Sequence, residues 1–144
     1  MAVRVRIRIE APSLNNVAES SALVNTGFET ERPQLVLPRR LAEKLQLWPP
    51  PREAEVVVLG TAGGPSRMYL VKNGLDVSIL VGGEARNKTV CDALISDIEE
   101  EVLINDKLGE ELGIVIERMA SGDWRLSTDT PEVRRKSEKP EYWS

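Results

Sequence analysis

Residues 3–10 alternate apolar and charged side chains without interruption, and this pattern is the strongest constraint on the fold. Four β-branched side chains stand at the odd positions, and three arginines and a glutamate stand at the even positions. A β-strand points successive side chains to opposite faces, so the alternation predicts a strand with one buried face and one solvated face. Turn-forming residues follow at 11–16, and an apolar stretch ends a second strand at Val24. A β-hairpin is therefore expected to open the domain.

Short apolar runs separated by turn residues predict further strands along the chain. These predicted strands lie at 35–37, 54–59, 67–71, 75–81, 88–95, 101–104, 114–117 and 124–126. Apolar spacing predicts one short helix over 39–47 and a second that begins after Asn105 as its N-cap and ends before Gly113. Asn73-Gly74 predicts a type I′ turn. Because strands and helices do not alternate, the order favours an antiparallel all-β barrel or sandwich over a nucleotide-binding α/β sheet.

The composition is typical of a globular protein and argues against several functions. The chain has 144 residues, of which 41% are hydrophobic and 29% are charged, values that fit one domain. Its net charge of −4 provides no positive field to attract a phosphate backbone, so no nucleic-acid partner is expected. The absence of histidine and the single cysteine, Cys91, argue against disulfides, histidine-based triads and ordinary zinc sites. No metal or cofactor is expected.

Both ends of the chain carry predictions of their own. The first residues lack the continuous apolar region of a signal peptide, and no apolar stretch approaches the ~20 residues of a membrane span. We therefore expect a soluble protein without a membrane partner, and the cysteine usage fits a reducing cytoplasm. Residues 127–144 are charged and nearly without core-forming side chains, so they predict a mobile tail that follows a domain at 1–126.

Residues 22–28 read Ala-Leu-Val-Asn-Thr-Gly-Phe, and other segments stand around them in a recognisable order. Those segments are Leu35-Val36-Leu37-Pro38 before a leucine-rich helix, the Gly63-Gly64 hairpin, and Val102-Leu103-Ile104-Asn105 before a helix that ends Glu111-Leu112-Gly113-Ile114. The first segment resembles the apolar-apolar-Asp-Thr-Gly loop of the retropepsins, the retroviral-type aspartic proteases with cellular relatives in bacteria and archaea. The hairpin is similar to the flap of that family. The resemblance covers residues 3–126 and implies a closed β-barrel of the acid-protease fold.

The resemblance also implies a site. Enzymes of this class hydrolyse amides with two carboxylates that share one proton, one acting as base toward water and the other as acid toward the carbonyl. By resemblance, the catalytic loop would comprise Asn25, Thr26 and Gly27, and substrate would contact Phe28, Glu29, Gly63 and Gly64. Thr26 would hydrogen-bond to its copy, and Gly27 would admit the substrate backbone. Because the chain has one such loop, a complete site would require an isologous homodimer.

Asn25 departs from the family at the decisive position. Its amide is isosteric with aspartate but has no proton that ionises near neutral pH, so a dimer would present two amides and no carboxylate. Loss of a general base usually costs at least ~10²- to 10⁴-fold in rate. Three explanations stay open: a naturally inactive relative, an inactivating substitution made for crystallography, or a carboxylate supplied by Glu29 or Glu31. Asn105, where the family usually has glycine, is a second departure.

Two functions follow from these residues. The favoured one is a pseudoenzyme, a homodimer that keeps the protease scaffold and either binds an extended peptide or has a structural role. The alternative is an aspartic endopeptidase, seen as an inactive form or using another carboxylate. Two other features have ordinary interpretations. Cys91 is expected to be a buried apolar residue, and the acidic run at 97–101, which lacks the spacing of a calcium loop, is expected to be a solvated turn.

Overall fold

The computed structural model describes residues 2–25, 27–28, 30–61 and 64–144, and these form a closed six-stranded β-barrel. The prediction of an all-β barrel with one or two short helices is confirmed. The elements in chain order are β1 (Arg4–Ala11), a single 3-10 turn (Pro12–Leu14), β2 (Asn16–Val24), β3 (Gln34–Pro38), α1 (Arg39–Lys44), β4 (Glu55–Thr61), β5 (Gly64–Val81), β6 (Glu84–Ser96), β7 (Val102–Ile104), α2 (Asp106–Glu111), β8 (Ile114–Arg118) and β9 (Asp123–Leu126).

The barrel closes because its first and sixth strands pair with each other. The strand order is β1-β2-β7-β3-β6-β5, and β5 pairs antiparallel with β1 to complete the ring. The short β7 lies between β2 and β3, parallel to the first and antiparallel to the second. Because β3 and β6 are also parallel, the prediction of a purely antiparallel barrel is wrong at two pairings. The described residues of the β2–β3 connection, 25, 27–28 and 30–33, therefore lie at the end of β7 and the start of α2. The strands β8 and β9 form a separate two-stranded hairpin.

The strand β5 is 18 residues long and belongs to two structures at once. Its first part pairs with β4 as a hairpin, and its later part pairs with β1 in the barrel wall. The register with β6 shifts between Val71 and Leu75, where the backbone of Asn73 is left-handed with φ of 51°. The prediction of a type I′ turn at Asn73-Gly74 is wrong, because the Asn73 N–H donates to the Asp92 carboxylate and the chain continues as a bulged strand.

The strict alternation of the first strand produces a sealed interior. Val5, Ile7 and Ile9 are fully buried, and the arginines between them lie on the outer face. The interior cluster also includes Leu35 and Leu37 from β3. Each large apolar side chain buried there stabilises the fold by roughly 1.5–3 kcal/mol relative to an exposed one.

A second apolar cluster, called here the outer cluster, packs on the other face of the same strands. Val36 of β3, Leu94 of β6 and Leu103 of β7 alternate with interior residues and point away from the barrel centre. Met68 of β5 completes the buried part. Partly buried side chains surround these four: Leu23, Phe28, Val57, Leu59 and Leu70. Several members come from β4 and β5, so the β4–β5 hairpin lies over this face.

Both helices consist of six residues. The predicted cap of the second helix is confirmed, since the Asn105 side chain accepts a hydrogen bond from the Leu108 N–H. The predicted stop is also confirmed, because Gly113 has φ of +79°, which a side chain would strain. In the part of the chain that the structure describes, no helix has the length and apolar character needed to cross a membrane.

The C-terminal segment 127–144 makes specific contacts with the barrel. Arg135 exchanges two backbone hydrogen bonds with Trp124, at 3.0 and 2.7 Å. Trp143 packs against the interior cluster, and its indole N–H donates to Ser20 Oγ at 2.9 Å. The segment was predicted to be nearly core-less, and the difference arises from this one tryptophan. The boundary at residue 126 and the mobility of the segment stay predictions.

Candidate functional site

A cleft of about 410 Å³ lies between the end of the β4–β5 hairpin and the start of the β2–β3 connection. Ligand pockets in proteins commonly measure roughly 300–1,000 Å³, so its size fits a small molecule or a short peptide segment. The described residues that line it are Leu23, Asn25, Gly27, Phe28, Val36, Leu59, Gly60, Met68, Glu99 and Leu103. Six of these belong to the outer cluster, which forms an apolar floor.

Asn25 enters the cleft directly after the last residue of β2. Its N–H donates to the Ile104 carbonyl at 3.0 Å, which fixes the loop to the end of β7. Its carbonyl accepts from the Phe28 N–H at 3.0 Å, and its Oδ1 accepts from the Gly27 N–H at 3.2 Å. These bonds hold Gly27 and Phe28 close to Asn25, which is half-buried. The side-chain Nδ2 makes no hydrogen bond to another described residue, so this donor is available to a ligand.

Asn105 holds the second half of the β2–β3 connection. The residue is fully buried, and its Oδ1 accepts from the Gln34 N–H at 3.0 Å and the Leu108 N–H at 2.9 Å. Its Nδ2 donates to Thr30 Oγ1 and to the Arg32 carbonyl, both at 2.9 Å. A side-chain amide offers two donors and has two acceptor lone pairs, and all four are used here. The asparagine therefore fastens the connection to the start of α2, which a glycine could not do.

Asp92 is a second buried anchor, in β6. Its carboxylate accepts two hydrogen bonds from Arg32, both at 2.7 Å, one from Gln34 Nε2 at 3.0 Å and one from the Asn73 N–H at 2.9 Å. Burial alone would raise the pKa of Asp92. The bonds from Arg32, Gln34 and the Asn73 amide outweigh burial and hold that pKa below its usual value. Asp92 thus joins the connection to the bulge of β5.

Glu99 reaches the cleft from the turn after β6. Ser96 Oγ accepts from the N–H groups of Ile98 and Glu99, at 3.2 and 3.1 Å, and this turn brings the half-buried glutamate against the outer cluster. The sequence predicts a solvated turn at 97–101 and does not identify Glu99 as a site residue. A serine followed by acidic residues is a signal for a side-chain-capped turn. This local signal does not predict that Glu99 lies at the cleft, because residues of other strands form the rest of the cleft.

The run around Glu99 is only partly neutralised. Asp97 lies 3.6 Å from Arg39, and Glu101 lies 2.6 Å from Arg4. No described cation lies within ion-pair distance of Glu99. Among the described residues that line the cleft, Glu99 is also the one with a formal charge.

The structure brings together three of the predicted site residues. Asn25, Gly27 and Phe28 all line the cleft. The other predicted site residues of the loop and hairpin tip, Thr26, Glu29 and Gly63, lie outside the described residues. Of the predicted site residues that the structure describes, Gly64 alone is not among those that line the cleft.

Other candidates lie elsewhere. Gly64 begins β5 opposite Thr61, with φ of +107°, and Gly60 is the hairpin glycine that lines the cleft. Glu31 is exposed and is not among the cleft residues. Cys91 is buried in the barrel wall, and burial raises the pKa of its thiol.

The cleft combines an apolar floor, one amide and one carboxylate. Such a set can bury an apolar side chain and hydrogen-bond a neighbouring backbone. Within residues 2–25, 27–28, 30–61 and 64–144, no three acidic or thiol side chains are grouped as metal ligands would be. In comparisons with known proteins, no family model matches the sequence, and no curated protein shows significant similarity to it.

Proposed function

We propose that this protein is a retropepsin-like homodimer that binds extended peptide segments in the cleft without hydrolysing them. The observation that carries the proposal is the position of Asn25. Its neutral amide lies at the edge of the cleft, in the loop position at which a retropepsin would require its catalytic acid. The closed barrel and the segment order of the sequence support the choice of scaffold.

An extended peptide fits the chemistry of the cleft. Such a peptide presents alternate side chains to one surface, and the outer cluster offers apolar area to one of them, worth roughly 25 cal/mol per Å² buried. The Asn25 Nδ2 and the backbone near Gly60 lie beside that floor and can serve peptide carbonyls and amides. A small ligand would use the floor but not the length of the hairpin.

A second copy of the chain would complete the site. The sequence contains one Asn-Thr-Gly loop, so a twofold axis is needed to bring two of them together. Sedimentation at micromolar concentration is expected to give twice 16.0 kDa. A strictly monomeric species would remove the shared cleft from the proposal.

The lack of hydrolysis follows from proton chemistry. An amide oxygen at position 25 accepts hydrogen bonds but does not take a proton from water near neutral pH. Replacement by aspartate changes almost no volume, and the Gly27 N–H that bonds Oδ1 would also bond a carboxylate. A dimer of Asn25→Asp would thus present two acids that share one proton.

We expect the unmodified protein to bind but not cleave an unfolded protein substrate, and Asn25→Asp to cleave it between about pH 3 and 7. The gain should reach at least about 10²-fold over background, the usual contribution of a general base. Asn15→Asp, which makes the same change in an exposed turn, is the matched control. Cleavage by the unmodified protein would overturn the proposal, and absence of peptide binding by any form would remove the cleft as a peptide site.

A further inference from the structure

The walls of the cleft differ in charge. Six lining residues are apolar members of the outer cluster, Asn25 is neutral, and the glycines have no side chains. Glu99 adds a single carboxylate to this set of described residues. A charge beside apolar side chains is less screened than one surrounded by water, so it interacts more strongly with whatever occupies the cleft.

The neighbouring ion pairs leave this carboxylate unneutralised. Arg39 is shared between Asp97 and Glu43, and Arg4 holds Glu101 through two hydrogen bonds, at 2.6 and 3.1 Å. Neither arginine pairs with Glu99. Arg40 lines a neighbouring hollow together with Glu99 but makes no described ion pair with it. The Glu99 carboxylate therefore has no described ion-pair partner, and a bound group of opposite charge would complement it.

We infer that Glu99 makes the cleft select peptides in which a lysine or arginine stands next to an apolar residue. The inference rests on the proposed peptide-binding function and adds a charge preference to it. The apolar residue would lie on the outer cluster. The basic residue would lay its aliphatic stem along the same floor and place its cationic head on the carboxylate. A glutamate at that place in the peptide would meet repulsion.

The neighbouring glutamate provides an internal control. Glu100 is in the same acidic run and lines adjacent hollows on the surface, but it is not among the described residues that line the cleft. Its substitution removes the same charge from the run, so it separates direct contact in the cleft from the general field of the run. Neither glutamate has a described side-chain partner, so both variants should fold as the unmodified protein does.

The test uses synthetic octapeptides that share a Leu-Leu core and differ at one flanking residue, which is arginine, glutamine or glutamate. Calorimetric titration of the unmodified protein should give about 5-fold tighter binding of the arginine peptide than of the glutamine peptide. The preference should shrink as salt rises, because salt screens partly exposed charges. Glu99→Gln should remove the preference, and Glu100→Gln should leave most of it.

The possible outcomes separate the two claims. If no octapeptide binds, the proposed function fails. If all bind equally well, or if the arginine preference survives in Glu99→Gln, peptide binding stands and the inference about Glu99 is overturned. Equal loss of preference in both variants would assign the effect to the whole acidic run and would also overturn it. Thermal melts of the variants, matched to that of the unmodified protein, verify that each is folded.

Discussion

The interior cluster and the outer cluster are built from the same strands, but they differ in how completely their side chains are buried. In β3, Leu35 and Leu37 point into the barrel and are fully buried, while Val36 between them belongs to the outer cluster. The interior is enclosed by the ring of strands together with residues of α1 and α2. The outer cluster lines a cleft, and at its margin Phe28 and Leu59 remain partly exposed. A strand that is apolar on both faces thus contributes to the core on one side and to the apolar floor of the cleft on the other.

Hydrogen bonding divides the two regions in the same way. Among the described residues, no buried side-chain nitrogen or oxygen lacks a hydrogen-bond partner. Asn105 and Asp92 use their full capacity to hold the β2–β3 connection. At the cleft, by contrast, the Asn25 Nδ2 and the Glu99 carboxylate have no described partner. The buried anchors are therefore fully hydrogen-bonded, whereas two polar groups that line the cleft keep hydrogen-bonding capacity for a ligand.

A matched pair of leucine truncations offers the largest expected contrast. Leu37→Ala removes a fully buried interior side chain and should lower the free energy of unfolding by about 3–4 kcal/mol. Leu59→Ala removes a partly exposed side chain of the cleft and should cost about 1 kcal/mol, yet it should weaken peptide binding. Urea unfolding and calorimetric titration measure the two effects. Equal costs in urea would break the distinction between a structural cluster and a binding cluster.

The next effect concerns the buried anchor at Asp92. Asp92→Asn should lower the free energy of unfolding at pH 7 by about 2–3 kcal/mol, because charge-assisted bonds from Arg32 are lost. The pKa of Asp92 is lowered in the folded state, so its contribution is complete above the ordinary aspartate value of about 3.9 and is lost as pH falls through the folded value.

The difference in unfolding free energy between the unmodified protein and Asp92→Asn should therefore narrow below about pH 4. Asp97→Asn, which removes an exposed partner of Arg39, is the control and should cost less than about 1 kcal/mol. A gap between the unmodified protein and Asp92→Asn that stays constant down to pH 2 would contradict the assigned direction of the pKa.

The smallest effect tests whether the C-terminal segment belongs to the interior region. Trp143→Ala should cost about 1–2 kcal/mol in urea, since the indole is partly buried and bonds Ser20 Oγ. Tyr142→Ala, at an exposed neighbour, should stay within about 0.5 kcal/mol. Similar costs for both would place the segment outside the cooperative unit.

Local signals were predictable from the sequence, and distant contacts were not. The alternation in β1, the Asn105 cap and the Gly113 stop depend on residues a few positions apart, and all three are confirmed. Asn73-Gly74 has the sequence of a turn. It becomes a bulge because Asp92, on the adjacent strand, takes the Asn73 N–H. No local pattern contains that partner.

The residues of the candidate site also fall into those that a local sequence pattern predicts and those that only the fold brings together. Asn25, Gly27 and Phe28 stand together in the sequence, so a loop motif was enough to propose them. Glu99 and Gly60 stand far from that loop in the sequence, and the fold brings them to the same cleft. Trp143 was missed for a related reason, since its partner Ser20 is 123 residues away in the sequence.

Because β5 is 18 residues long, a single strand connects the β4–β5 hairpin to the barrel wall. The first part of β5 reaches the cleft through Met68, and the later part pairs with β1. The register shift between Val71 and Leu75 lies between these two parts. At this shift the Asn73 N–H donates a hydrogen bond to the Asp92 carboxylate, which also accepts hydrogen bonds from Arg32 of the β2–β3 connection. The bulge of β5 and the connection that contains Asn25 are therefore fastened to the same buried carboxylate.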